Sequence, residues 1–317
     1  MIASLAGAGT VNLGTNDLRT GNNTNTEFSG AIIGSGGLQK IGSGTFTLTG
    51  NNTYTGGTSA NDGNLIGNVI TSGGVTTGSF PPTGNININT SLTFNQTAEG
   101  TFSGNLIGAG SLTLTGNGAL TLIGNNTYTG PTTINGGTLN AILPTTTTLI
   151  MNGGSYNLDT NQTVQSLSGS GGTVNLGNKI LTTGENNNST TFAGMIQDGG
   201  IGGSLVKEGK GTLTLTGNST TFTGGTTING GTLIGQITTA NGVTTGSLPP
   251  FGNITNNGTL TFDQGGEGTF FGDITGDGSL TLTGNGVLTL IGNNTYKEFT
   301  IINGGYFKEF FLHRRLF

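Results

Sequence analysis

One block of sequence that returns four times constrains this chain more than anything else in it. Gly42-Ser43-Gly44-Thr45-Phe46-Thr47-Leu48-Thr49-Gly50-Asn51-Asn52-Thr53-Tyr54-Thr55-Gly56-Gly57 recurs from Gly116 to Pro131, from Gly209 to Gly225 and from Gly284 to Tyr296. A longer period encloses the blocks. Leu65 to Tyr128 reappears as Leu233 to Tyr296, 168 positions later, and Pro81-Pro82 is carried onto Pro249-Pro250. Repetition of this kind belongs to chains whose units cannot bury a core alone and do so by stacking on their neighbours.

Within a block the local pattern is that of strands. Ser111-Leu112-Thr113-Leu114-Thr115 and Ala119-Leu120-Thr121-Leu122-Ile123 alternate apolar residues with Thr at period two, which gives a strand one buried face. Leu114, Leu215 and Leu282 are thereby predicted to point inward and Thr113 outward. Thr suits the wet face, since its branch favours extended backbone and its hydroxyl keeps contact with water. Asn117-Gly118, Asn135-Gly136, Asn229-Gly230 and Asn285-Gly286 separate the strands, and they are expected to supply the positive φ of tight turns. No stretch has the i, i+3, i+4, i+7 spacing of an amphipathic helix.

Composition narrows the architecture. Gly alone fills 64 of 317 positions, and with Thr and Asn it supplies just over half of the chain. Charged residues are only 7%, which argues against ordinary charge-rich disorder, and Gly follows no three-residue rule, which excludes collagen. Short strands with frequent turns fit a sandwich, a propeller or a parallel β-helix. A hydrophobic content of 31% suits the thin core of the β-helix, and equivalent turns in stacked coils allow ladders of Asn and Thr. A sandwich of about 100 residues would need a richer core, and the uneven spacing of the blocks disfavours a propeller. The net charge of -5, with no basic run in the repetitive body, disfavours nucleic acid as a partner. There is no Cys, so neither a disulfide framework nor a thiolate metal site is available.

The segments 42 to 58 and Gly225-Thr226-Thr227-Ile228-Asn229-Gly230-Gly231-Thr232-Leu233 resemble the autotransporter-associated β-strand repeat of bacterial type V secretion passengers. Asn161 to Gly171 and Thr191-Phe192-Ala193-Gly194-Met195-Ile196 are similar to linking segments of the same family. The resemblance covers residues 1 to 296 and implies an all-β, right-handed parallel β-helix displayed at a Gram-negative surface or released outside the cell. It further implies adhesion, or service as a stalk, with a host-cell surface, extracellular glycan or protein as partner. Two long units, 1–139 and 149–296, are predicted, followed by an atypical tail at 297–317 that holds Lys297, Lys308, Arg314, Arg315 and His313. The chain reads as a segment starting within a repeat. It shows no secretory leader, no apolar run of the ~20 residues that a membrane helix needs, and no room after residue 296 for the translocator barrel of the family.

No catalytic, cofactor-binding or metal-ligating residue is assigned. Gly-x-Gly-x-x-Gly and Gly-x-Ser-x-Gly do not occur, and Gly209-Lys210 is followed by Gly211 where a phosphate loop needs Ser or Thr. A Ser-His-Asp triad would have to recruit His313, the sole His. Asp263, Glu267, Asp273 and Asp277 form the densest acidic patch and admit a glycosidase pair or a Ca²⁺ site. The turn-forming habit of Asp favours a structural role, as does the comparison 168 positions earlier, where Asn95, Glu99, Asn105 and Ala109 stand for Asp263, Glu267, Asp273 and Asp277. Tyr54, Tyr128 and Tyr296, with Phe222 in the same slot, read either as a sugar-stacking ladder or, preferably, as packing residues at a coil corner. The sequons at Asn51 and Asn125 read as structure. The functional expectation is a non-enzymatic passenger segment. A β-helix enzyme acting on polysaccharides, or a fragment of a split autotransporter gene without function of its own, are the alternatives.

Overall fold

A computed structural model of the chain describes residues 1–217 and 221–309. The described residues form short strands with no α-helix, and all of the strand pairs but two are parallel where their register is defined. The chain divides into two compact units, Met1–Tyr156 and Asn157–Phe317. Each is a parallel β-solenoid.

In the first unit the chain visits a set of faces in turn and returns to each one coil later. The first face stacks Leu18–Thr20, Leu38–Lys40, Thr58–Ala60, Ile86–Ile88 and Leu106–Ile107. The second stacks Thr26–Phe28, Thr45–Leu48, Asn64–Gly67, Ser91–Gln96, Ser111–Gly116, Thr132–Ile134 and Thr148–Met151. The third includes Gly100–Phe102, Ala119–Leu122 and Thr138–Ala141. In-register pairing puts like against like. Phe94, Leu114, Ile134 and Met151 form one inward column on the second face and are all buried. Full burial of such a side chain is worth about 1.5–3 kcal/mol, so a core one or two residues wide per strand suffices when it runs the length of the stack.

The second unit repeats the plan. One face runs through Gln162–Val164, Ile180–Thr183, Ser204–Lys207, Thr226–Ile228, Ile254–Asn256 and Ile274–Thr275. The next runs through Thr190–Phe192, Thr212–Leu215, Thr232–Gly235, Thr259–Gln264, Ser279–Gly284 and Thr300–Ile302. A third holds Glu267–Phe270, Val287–Leu290 and Tyr306–Glu309. Strand pairing therefore continues past Tyr296, whereas His313, Arg314 and Arg315 lie outside the described residues.

Each unit carries one antiparallel hairpin that the repeat pattern did not announce. Val69–Ser72 pairs with Val75–Gly78, and Ile237–Ala240 with Val243–Gly246. Their two-residue turns, Gly73-Gly74 at φ 58° and 79° and Asn241-Gly242 at φ 52° and 77°, have the double positive φ that matches strand twist in a tight hairpin.

The Asn-Gly pairs between strands behave differently from expectation. Gly118, Gly136, Gly230 and Gly286 do not have positive φ, and the left-handed residue is a neighbour: Gly116 (φ 87°), Gly137 (69°), Gly231 (61°) and Gly284 (81°). At Gly118 and Gly286 the reason for Gly is steric. A Cβ there would overlap the carbonyl oxygens of Ala98 and Gly266, one coil earlier. Coil stacking, which brings residues twenty apart into main-chain contact, sets that demand.

Candidate functional site

The acidic patch is dispersed by the fold. Asp263 and Glu267 sit on strands of two different faces, and Asp273 and Asp277 flank the short strand Ile274–Thr275. Three of the four are rungs of coil-to-coil ladders. Thr283 Oγ1 donates to Asp263 Oδ1 (2.9 Å), and the Asn293 amide to Asp273 Oδ1 (2.7 Å). Asp277 pairs with Lys297 at 2.6 Å, with both side chains largely in water. Among the described residues no group of three or more His, Asp and Glu is placed to hold a metal ion. In the first unit the same kind of ladder is built from amides, with Asn105 N donating to Asn85 Oδ1 (2.9 Å) and Asn125 N to Asn105 Oδ1 (2.8 Å). Asn51, the other sequon residue, accepts from the Gly78 amide at the base of a hairpin.

The aromatic slot faces inward. Tyr54, Tyr128 and Phe222 are buried, while Tyr296 is half-buried. The hydroxyls of Tyr54 and Tyr128 each bond Thr58 or Thr132 Oγ1 at 2.6 Å, four residues on. Burial pushes both phenols well above their ordinary pKa, so they are neutral and serve as packing residues with one satisfied polar tip.

Three charged residues with defined environments were not singled out from the sequence. Lys40 and Lys207 are each 1% exposed. Lys40 Nζ donates to the carbonyls of Ile41 (3.0 Å), Gly42 and Asp62 (2.9 Å), and Lys207 Nζ to those of Glu208, Gly209 and Gly230. Desolvation lowers both ammonium pKa values, with Asp62 and Glu208 acting in the opposite sense. The signal was present: in Leu38-Gln39-Lys40 the period-two pattern puts Lys40 on the inward side, in the slot that Leu114 and Leu282 fill in other copies. Asp198 is the third. Its carboxylate accepts from the amides of Gly200, Gly202, Gly203 and Thr223 and from Thr223 Oγ1, at 2.6–3.0 Å, and it braces a glycine-rich corner.

Two surface features remain. In the second unit Phe251 and Phe271 stack at 4.8 Å between centroids while 68% and 38% exposed, where the first unit has Thr83 and Ser103. On the first face of the first unit lies a shallow groove of about 170 Å³. Gly37, Gly56 and Gly57 leave its floor without side chains, and Asp17, Gln39, Ser59, Asn85, Asn87 and Ile107 form its walls. Strand register places Gln39, Ser59, Asn87 and Ile107 in one outward row with Arg19. Asp17 is fixed by the Gly37 amide (2.8 Å) and Gln39 Nε2 (3.1 Å). The row can bind polar ligands through hydrogen bonds.

Residues 38–66, 112–141, 205–234 and 280–307 match the passenger-associated-transport-repeat family. The chain carries four passenger-associated-transport repeats. Each match in the first unit spans four strands, but on different faces: 38–66 lies on the first and second, 112–141 on the second and third. The repeat protein is also similar to the adhesin BmaC autotransporter of Brucella suis biovar 1 (strain 1330), with 32% identity over 270 residues, 70% of this chain and 8% of that protein. It thus spans under a tenth of the length of this curated relative. No solved structure matches it.

Proposed function

We propose that this repeat protein is a non-enzymatic passenger segment, presented at a bacterial surface or released outside the cell, that acts as a β-helical stalk or adhesin. The observation that most favours this reading is the outward row Arg19, Gln39, Ser59, Asn87 and Ile107, held in register along a rigid parallel stack. Such a wall offers many weak polar contacts at fixed spacing, which is the chemistry of a surface that holds on by multivalency. The similarity to an autotransporter adhesin supports the same reading.

Beads coated with the full chain, incubated with mammalian cell layers and with extracellular matrix, test the adhesive arm. Binding above that of beads coated with an unrelated β-solenoid is the expected result, and equal binding would reject it. Release of reducing ends from a panel of neutral and acidic polysaccharides would overturn the non-enzymatic arm.

A further inference from the structure

We propose that the groove on the first face of the first unit is a subsite for one neutral pyranose unit of a glycan; this rests on the adhesive reading above and names its ligand class. At about 170 Å³ the groove falls below the ~300 Å³ at which pockets for drug-sized molecules begin, and its size suits a single small ring. Its chemistry is that of sugar recognition. The half-buried side chains of Ser59 and Asn87 make no hydrogen bond to any described residue, so a hydroxyl and a carboxamide stand with their donors and acceptors unspent in the groove. A carboxamide offers a donor and an acceptor in one plane, as a pair of neighbouring sugar hydroxyls requires. Asp17, positioned by Gly37 and Gln39, adds an ionised acceptor with lone pairs to spare. Ile107, 37% exposed, gives the C–H face of a ring an apolar wall. No cationic residue lines the groove itself, where the Asp17 carboxylate favours neutral rings over sugar carboxylates, and Arg19 stands one rung outside it beside Gln39.

The second unit supplies the internal contrast. Its corresponding outward row is Thr182, Val206, Thr227, Thr255 and Thr275, in the same parallel register. The solenoid therefore forms without the amides of Gln39 and Asn87. Their presence in one row is a choice of surface chemistry and not a demand of the fold.

Saturation-transfer NMR on the full chain, with the methyl glycosides of glucose, galactose, mannose and N-acetylglucosamine as probes, tests the proposal. At least one glycoside is expected to show transfer. The double variant Gln39→Val/Asn87→Thr, which installs the residues of the second unit, should weaken it roughly tenfold through the loss of one or two hydrogen bonds, with an unchanged melting curve. Asn87→Thr alone serves if the double variant melts early. Phe251→Thr/Phe271→Ser should leave transfer intact. Absence of transfer from all four probes, or transfer that survives in Asn87→Thr and the double variant alike, overturns the subsite. Bead adhesion separates the two readings: adhesion without glycoside transfer removes the subsite and leaves the adhesin, whereas transfer sensitive to Asn87→Thr without adhesion upholds the subsite and removes the adhesin.

Discussion

The side chain of Gln96 pairs with the main chain of Val69 as a neighbouring strand would. Val69 N–H donates to Gln96 Oε1 at 2.9 Å, and Gln96 Nε2 donates to the Val69 carbonyl at 2.8 Å. Gln264 repeats the arrangement on Ile237 at 2.8 and 2.7 Å. All four residues are buried. A hairpin leaves the coil at Val69, so no parallel strand meets these two polar groups. A carboxamide supplies the missing donor and acceptor together.

Gln96→Leu should therefore strand both main-chain groups of Val69 and cost about 2–6 kcal/mol, since each unsatisfied buried group costs roughly 1–3. Gln96→Glu keeps an acceptor, loses the donor and buries a charge, so it should be no better. Thermal melts check this. A loss under about 0.5 kcal/mol for Gln96→Leu would mean that the hairpin base is satisfied by other means.

Core phase gives a second expectation. Leu114 and Leu282 are buried in their columns, and Leu114→Asp should cost several kcal/mol through lost packing and a charge in the core. Thr113 is half-buried on the outward side, and Thr113→Ser should stay within about 0.5 kcal/mol. Equal melting shifts for the two would reverse the inside and outside of the strand Ser111–Gly116.

Lys40 and Lys207 predict a rise in stability on the alkaline side. Burial holds both ammonium groups below the ordinary 10.5, while in the unfolded chain they stay protonated up to that value. Across the interval between the lowered folded pKa and 10.5 the unfolded state binds more protons, so stability increases as pH rises through it. The Lys40→Leu/Lys207→Leu variant should show a flatter melting profile there. Lys40→Leu leaves the carbonyls of Ile41, Gly42 and Asp62 without their donor and should cost about 1–3 kcal/mol, and Lys40→Ala, which also empties the space of the stem, should cost more.

Asp198 acts in the acid range. Burial pushes its carboxyl up, and the hydrogen bonds from Thr223, Gly200 and Gly202 more than reverse that, leaving it below its ordinary 3.8. A depressed carboxyl stabilises the fold fully above the unfolded pKa, and that contribution fades as pH falls through the folded value. Melts taken from about pH 5 toward pH 2 should show the loss, and Asp198→Asn should remove it while costing about 1–3 kcal/mol at neutral pH.

Period-two alternation by itself determined the strands and the direction of Leu114, Leu215 and Leu282, because inside and outside on a strand are set by neighbours one residue apart, and the recurrence of an aromatic in one slot pointed to the burial of Tyr54 and Tyr128. The four-fold repeat determined that such strands stack as a solenoid. Only the tertiary structure decided what stands beside what. Coils return after about twenty residues, or later where a hairpin intervenes, and the sequence period does not keep step with that return. From Gly42 to Gly116 the chain advances three coils and one face, so the same motif lies on the first and second faces in one copy and on the second and third in the next. Contacts across coils are therefore set by folding and not by the motif. That is why the closing of the carbonyl cage around Lys40 by Asp62, the clasp between Gln96 and Val69, the steric need for Gly at Gly118 and the row of Gln39, Ser59, Asn87 and Ile107 could not be read along the chain: each joins residues about twenty or more positions apart, whose adjacency exists only once the coils are stacked.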